Sequence, residues 1–544
     1  MRAYYWRCTS LLLCVLGIGA GDARIRTATV DVDAGAILKP VERQLFGANV
    51  EWNNDGNLIW NAATGSNNGI IVSRAKELGV SNLRFPGGTL ADYYHWRDGI
   101  GPRMSRPVSP HGIDAGYSPQ NFGLHEFMEL CRATGAEALL QANVISGSAT
   151  EAAQWVEYCN APHHAERTAN GSPEPFAVRL WEIGNEQYLQ TWDGKGSPSF
   201  LTADEYVNRL VAFATAMKSV DPTIKIGAVG GKNFGRYAVV VNDDWNRVLL
   251  ERAAPHIDFI SLHNGYGPVV LDPDAQTFWD VYSALLAFPK LVEENLRSVN
   301  QQILDYAPAQ AQKMQIAVTE WGPLFHVLPD HPYVDHAKTL GSGVFTASML
   351  RTFLLADRVA IANIFQLSQP IFLGIMNHEG VVKPSYLALQ MYSRYFGTTL
   401  VATDVVSATY DSPAVGLVSA VSRVPYIEAI SSLSADHTRM YVILINKHFN
   451  AAINVNVQLH NFPAGPSVVR RLMTGPGVDA NNGSDLVDIP GVIWAAQRAA
   501  PVNPMFDKGA PGTVRIQEAI LGMSGTLTYS APPMSVTALE FSRQ

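Results

Sequence analysis

One alternation constrains this chain more than any other feature. After residue 44, short apolar runs are separated by segments of helical periodicity. The runs span residues 45–50, 82–86, 138–144, 180–184, 224–229, 259–263, 316–319 and 362–367. Between them, Ile71, Val72, Ala75 and Leu78 form one helical stripe, ended by Gly79. Tyr206, Leu210, Phe213 and Met217 form another, opened by Thr202-Ala-Asp-Glu205, the pattern of a capping box. Strands covered on both faces read as continuous apolar runs, and alternation with helices makes their sheet parallel. Eight such repeats predict a closed (β/α)8 TIM barrel, an α/β fold, over an open doubly wound sheet. No glycine-rich dinucleotide or phosphate fingerprint follows the first run, which weighs against the open sheet.

Beyond residue 396 the pattern changes. Residues 426–433, 440–446, 453–459 and 535–541 are short β-rich runs, separated by turn residues at 434–437 and 481–484. They predict an accessory antiparallel β-sandwich. Residues 28–33 read as a strand of the same sandwich, so the barrel is inserted within it. The expected division is a signal peptide at 1–23, N-terminal sandwich strand at 24–44, barrel at 45–395 and sandwich at 396–544.

The N-terminus explains the leader. Arg2 and Arg7 precede the apolar run 11–20, and small residues follow, as in a cleaved signal peptide. A secreted or periplasmic protein is therefore expected, with no membrane attachment after cleavage. Cys8 and Cys14 would leave with the leader. Cys131 and Cys159 sit on apolar helical stripes and read as buried free thiols, with a disulfide between neighbouring helices as the alternative. The net charge of −8, without a basic stripe, argues against a nucleic-acid partner.

In such barrels the chemistry sits at the C-terminal ends of the strands. Those ends carry Asn49-Val-Glu51, Arg84, His95 and Trp96, Asn185-Glu186, His263 and Tyr266, Glu320-Trp321, and Gln366. Polar groups are costly to bury without partners, so their recurrence at one end implies a shared polar cleft. Glu186 and Glu320 each close an apolar run, so two carboxylates meet at one mouth. That pairing suits cleavage of a glycosidic bond, with one carboxyl protonating the leaving oxygen and the other attacking the sugar carbon. Glu186 is the expected acid/base and Glu320 the nucleophile. Arg84 is expected beside Glu320, holding it charged. Asn185 would donate to the sugar hydroxyl next to the reacting carbon. Trp96, Tyr266 and Trp321 would offer ring faces to the sugar.

These residues resemble clan A of the glycoside hydrolases, and within it the α-L-arabinofuranosidases of family 51. Residues 82–88 with 94–102 are similar to that family's strand-two signature. Residues 126–131, 155–160, 362–366 and 383–386 are similar to further family segments. The resemblance covers about residues 40 to 395 and implies a retaining enzyme. It also implies that Glu51, Asn185, Tyr266 and Gln366 contact a terminal arabinofuranose, and it implies neither a metal nor an organic cofactor. The chain departs from the family around the sugar pocket. Thr89 stands where Asn touches the sugar, His263-Asn-Gly-Tyr266 replaces His-Tyr-Tyr, Gln187-Tyr-Leu replaces Met-Asp-Gly, and Gly322 replaces Asn.

The reading is thus a secreted retaining α-L-arabinofuranosidase acting on plant cell-wall polysaccharide or oligosaccharide, with a homo-oligomer allowed. Two alternatives stay open at this level. One is another clan A activity: β-xylosidase, endo-glucanase, or β-glucuronidase served by Arg97, Arg103 and Arg106. The other is a non-catalytic carbohydrate-binding protein, which would be expected to lack one carboxylate.

Overall fold

Eight parallel strands close into a ring in the computed structural model. It describes residues 26–111, 116–189, 198–231, 244–327, 331–369, 373–483 and 510–544, so the predicted leader lies outside the described residues. The strands are Gly47–Asn49, Asn82–Phe85, Glu137–Ala142, Leu180–Ile183, Lys225–Val229, Phe259–Ser261, Gln315–Leu324 and Val359–Ile364. Each pairs in parallel with the next, and the eighth returns to the first through Asn363 and Gly47. The helical stripes cover this ring. Helix Gly69–Leu78 buries Ile71, Ala75 and Leu78 and stops at Gly79, whose φ of +73° is cheap only for glycine. Helix Ala203–Val220 opens on the expected box, with Thr202 and Glu205 bonded reciprocally.

Two boundaries differ from expectation. The first strand begins only at Gly47, because residues Arg43–Phe46 form a 3-10 turn. The seventh does not stop at its carboxylate. It runs on to Leu324, because the short strand Gly265–Pro268 pairs with residues 321–324 after the sixth strand has turned away. Glu320 therefore lies inside a strand, at the register shift between Val318 and Trp321.

The barrel interior is layered by polarity. One layer is apolar, with Leu139, Leu180, Phe259, Ala317 and Ile361 in mutual contact. A Cβ on Gly227 would sit 2.0 Å from the Phe259 ring, so the glycine makes room for that ring inside the barrel. Nearer the C-terminal mouth, Asn49, Arg84, Glu182, Thr319 and Asn363 are all fully buried. That concentration of polar side chains requires mutual pairing.

The second unit is a nine-stranded sheet folded over one core. Its order is Arg515–Gly522, Ala464–Thr474, Ser535–Arg543, Arg439–Asn446, Ile427–Leu433, Thr399–Val406, Thr27–Pro40, Ile453–His460 and Leu527–Ala531. Every pairing is antiparallel except that of Thr27–Pro40 with Ile453–His460. Val30 and Val32 share a core with Val442, Val455 and Leu539, which the two ends of the sheet enclose like a sandwich. Buried polar bonds fasten this unit to the barrel. Lys447 bonds Glu428 at 2.6 Å and the Leu286 carbonyl at 3.0 Å, and Ser348 donates to the same carboxylate. Asn481, expected in a sandwich turn, bridges instead to Thr339 at the start of a barrel helix. Cys131 and Cys159 are free and buried.

Candidate active site

Arg84 organises the mouth of the barrel. It is the third residue of its strand and projects inward, like Asn82 two residues earlier, because side chains alternate across a strand. Its Nε meets Glu182 Oε2 at 2.5 Å and its Nη1 meets Glu320 Oε1 at 2.8 Å. Nη1 also donates to Asn49 Oδ1 at 3.2 Å, and Nη2 to Asn185 Oδ1 at 3.0 Å. Burial works against the guanidinium's charge, but Glu182 and Glu320 outweigh it and hold the pKa above the usual arginine value. Arg84→Met keeps much of the volume and strands two buried carboxylates. It is expected to cost about 3–5 kcal/mol of stability, measured by chemical denaturation. A loss below about 1 kcal/mol would mean that the cation does not compensate them.

Glu186 sits just beyond the fourth strand with φ +54°, an unfavourable backbone for a residue with a Cβ. Its Oε1 contacts His263 Nδ1 at 2.8 Å and accepts from the Tyr188 hydroxyl at 3.4 Å. His263 Nε2 lies 3.1 Å from Thr319 Oγ1, and that hydroxyl donates to Glu182 Oε1 at 3.0 Å. A continuous chain of bonds thus runs from Glu186 through His263, Thr319, Glu182 and Arg84 to Glu320. Burial alone would lower the His263 pKa, but the charges of Glu320 and Glu186 outweigh it and raise it. Oxygens of Glu186 and Glu320 and a ring nitrogen of His263 all lie within 4.8 Å of one another. Among the described residues this is the grouping with donors for a cation. The Arg84 guanidinium already supplies positive charge to Glu320.

The remaining wall comes from the first, second, sixth and eighth strands. The Tyr266 hydroxyl donates to Glu320 Oε2 at 2.9 Å. The Asn57 amide donates to Glu51 Oε2 and Gln366 Oε1, both at 2.8 Å, and ties these two together. Burial raises the Glu51 pKa against the hydrogen bond from Asn57. The loop after the second strand closes down on both carboxylates. A Cβ on Gly87 (φ +121°) would stand 2.7 Å from Glu51 Cγ, and one on Gly88 would stand 3.0 Å from Glu320 Oε1. Thr89 follows directly and is exposed.

Two of the expected sugar-contact residues do not line this mouth. Trp96 is buried, stacked on Trp155 with the Arg97 guanidinium 4.4 Å from its ring, and it donates to the Glu151 carbonyl. Trp321 is completely buried with its edge against Phe353. Thr319 and Glu320 both face inward, because the ladder has a register shift between Val318 and Trp321, and past that irregularity Trp321 faces outward. Neither ring has a face for a sugar. Conversely, Glu182, Thr319 and Asn57 were missed. A carboxylate within the apolar run 180–184 was the signal for Glu182, since buried charges need partners. The run Asn54-Asp-Gly-Asn57 signalled a left-handed turn, and all four residues have positive φ.

The chain matches the Alpha-L-arabinofuranosidase 1 domain over residues 74–246 and the Alpha-L-arabinofuranosidase C-terminal domain over residues 319–489. It is 27% identical over 471 residues to the intracellular exo-alpha-(1->5)-L-arabinofuranosidase of Halalkalibacterium halodurans, covering 80% of this chain and 88% of the relative. The intracellular exo-alpha-(1->5)-L-arabinofuranosidase 1 of Bacillus subtilis is 27% identical over 405 residues, with 69% and 75% covered. The thermostable GH51 alpha-L-arabinofuranosidase of Thermotoga petrophila superposes with a TM-score of 0.77 at 27% identity, covering 94% of this chain and all of that one. These relatives correct one expectation. The two bacterial proteins are named intracellular, which contradicts the secreted or periplasmic location inferred from the N-terminal residues. No helix among the described residues is long and apolar enough to cross a membrane.

Proposed function

The chain belongs to glycoside hydrolase family 51 and is an arabinofuranosidase, and we propose that it releases terminal α-L-arabinofuranosyl residues from plant polysaccharide or oligosaccharide by double displacement with retention. The observation that carries the mechanism is the closeness of the two carboxylates, with oxygens of Glu186 and Glu320 within 4.8 Å. Retaining enzymes place their carboxyl groups about 5–5.5 Å apart, whereas inverting ones leave about 6.5–9.5 Å for a water.

The surroundings support distinct roles. Glu320 is the nucleophile, since Arg84 and Tyr266 both donate to it and fix its carboxylate in place. Glu186 is the acid and then the base. It is the more accessible of the two, as proton exchange with the leaving group and with water requires: its side chain is 19% exposed against 7% for Glu320. Asn185 has committed its Oδ1 to Arg84 and Gln141, at 3.0 and 3.2 Å. Its amide hydrogens remain to donate to the hydroxyl beside the reacting carbon. Glu51, Gln366 and Tyr266, with His263 behind Glu186 and Thr89 at the rim, form the sugar-binding wall.

Hydrolysis of 4-nitrophenyl α-L-arabinofuranoside, followed by proton NMR, tests this reading. The α-anomer is expected to appear before mutarotation. Initial release of the β-anomer would overturn retention. Faster cleavage of aryl β-xyloside or β-glucuronide would overturn the sugar assignment.

A further inference from the structure

A further buried carboxylate stands behind Glu186. Asp92 lies in the 3-10 turn Thr89–Tyr93 after the second strand and is fully buried. Its Oδ1 accepts from Gln187 Nε2 at 3.0 Å. Its backbone carbonyl accepts from Ser146 Oγ at 2.8 Å, so the loop after the third strand holds it from the other side. Gln187 is equally buried and immediately follows Glu186. Its amide folds back over Gly184, where a Cβ would meet Gln187 Oε1 at 2.2 Å. The segment between them contains two left-handed residues, Gly184 at φ +88° and Glu186 at φ +54°. A non-glycine residue holds that conformation only when its surroundings impose it.

We infer that Asp92 is a positioning residue for the acid/base: through Gln187 it locks the left-handed turn that aims the Glu186 carboxyl at the leaving oxygen. This role rests on the proposed assignment of Glu186. The groups facing the Asp92 carboxyl are Gln187, the Ser199 hydroxyl, and the charges of Glu186 and Arg84. Burial, with the charge of Glu186 adding to it, pushes Asp92 up to about 8. It is therefore protonated at neutral pH and sets no second negative charge beside the acid.

The contrast between leaving groups separates positioning of an acid from general support of the fold. An alkoxide leaving group needs a well-placed acid, whereas 4-nitrophenolate needs little help. kcat/KM covers the steps up to glycosyl transfer, so the later activation of water does not enter. A misplacement of about 1 Å can cost about 100-fold. Asp92→Ala and Gln187→Leu are each expected to lower kcat/KM on an α-1,5-linked arabino-oligosaccharide by about 10- to 100-fold. On 4-nitrophenyl α-L-arabinofuranoside both should stay within about threefold of wild type. Asp92→Asn still presents an oxygen to Gln187 and is expected to restore the oligosaccharide value to within about threefold. Parallel losses on both substrates, or no loss in a folded Asp92→Ala, would overturn the role. If Asp92→Ala does not fold, Gln187→Leu decides by the same contrast. Wild-type hydrolysis of the two substrates reports separately on the activity itself, and a wild type that cleaves neither removes the basis for both readings.

Discussion

Glu320→Ala is expected to abolish turnover of aryl and natural arabinofuranosides alike, by about 10,000-fold or more. No leaving group can bypass the loss of the nucleophile, because every substrate must first form the glycosyl–enzyme bond at Glu320. The fold should survive, since Arg84 keeps its bond to Glu182 at 2.5 Å and loses only one of two carboxylates. Circular dichroism of the variant checks that point. Azide supplies a second readout. It can enter the face that Glu320 vacates and displace the leaving group directly, giving the β-L-arabinofuranosyl azide, inverted relative to the substrate. Retention of more than about 1% of wild-type activity in purified variant would assign the nucleophile elsewhere.

Glu186→Ala should behave differently, and the difference identifies its role. General acid catalysis contributes about 100- to 10,000-fold, so kcat/KM on an arabino-oligosaccharide should fall by that factor. On 4-nitrophenyl α-L-arabinofuranoside the fall should be far smaller, because the leaving phenolate needs no proton. Turnover then stalls at the glycosyl–enzyme, which has lost the base that activates water. Azide, which needs no base, should restart it and give the α-L-arabinofuranosyl azide, the configuration of the substrate. Near-full activity on oligosaccharide, or the β-azide as product, would overturn the assignment. His263 loses its 2.8 Å partner in this variant but keeps Thr319 on its other nitrogen, so the site should remain assembled.

Part of the fold and of the polar cleft can be anticipated from local sequence. The apolar runs and the helical stripes between them are short-range patterns, and they placed eight strands of the ring and the carboxylates near its mouth. Arg84 was readable because a cation inside an apolar run must find an anion, and it meets Glu320 at 2.8 Å. What failed was direction. Trp321 forms one sequence motif with Glu320, yet an irregularity in the ladder between Val318 and Trp321 turns Thr319 and Glu320 inward and leaves the ring against Phe353. Trp96 lies beside a signature stretch, but its place was set by Trp155, distant in the chain.

The sequence by itself determined the period of the fold, the residue types available for chemistry, and the helix ends at Thr202 and Gly79, because each depends on neighbours within a few positions. Only the tertiary structure decided which polar residues meet. The bonds of Arg84 to Glu182 and Glu320 span 98 and 236 residues, and that of Asn57 to Gln366 spans 309. Only closure of the barrel brings such distant residues within bonding distance. Once buried there, each polar group must find a partner or lose its hydration uncompensated, and that requirement joined Glu182 and Thr319 to the network between the two glutamates and set Asn57 between Glu51 and Gln366.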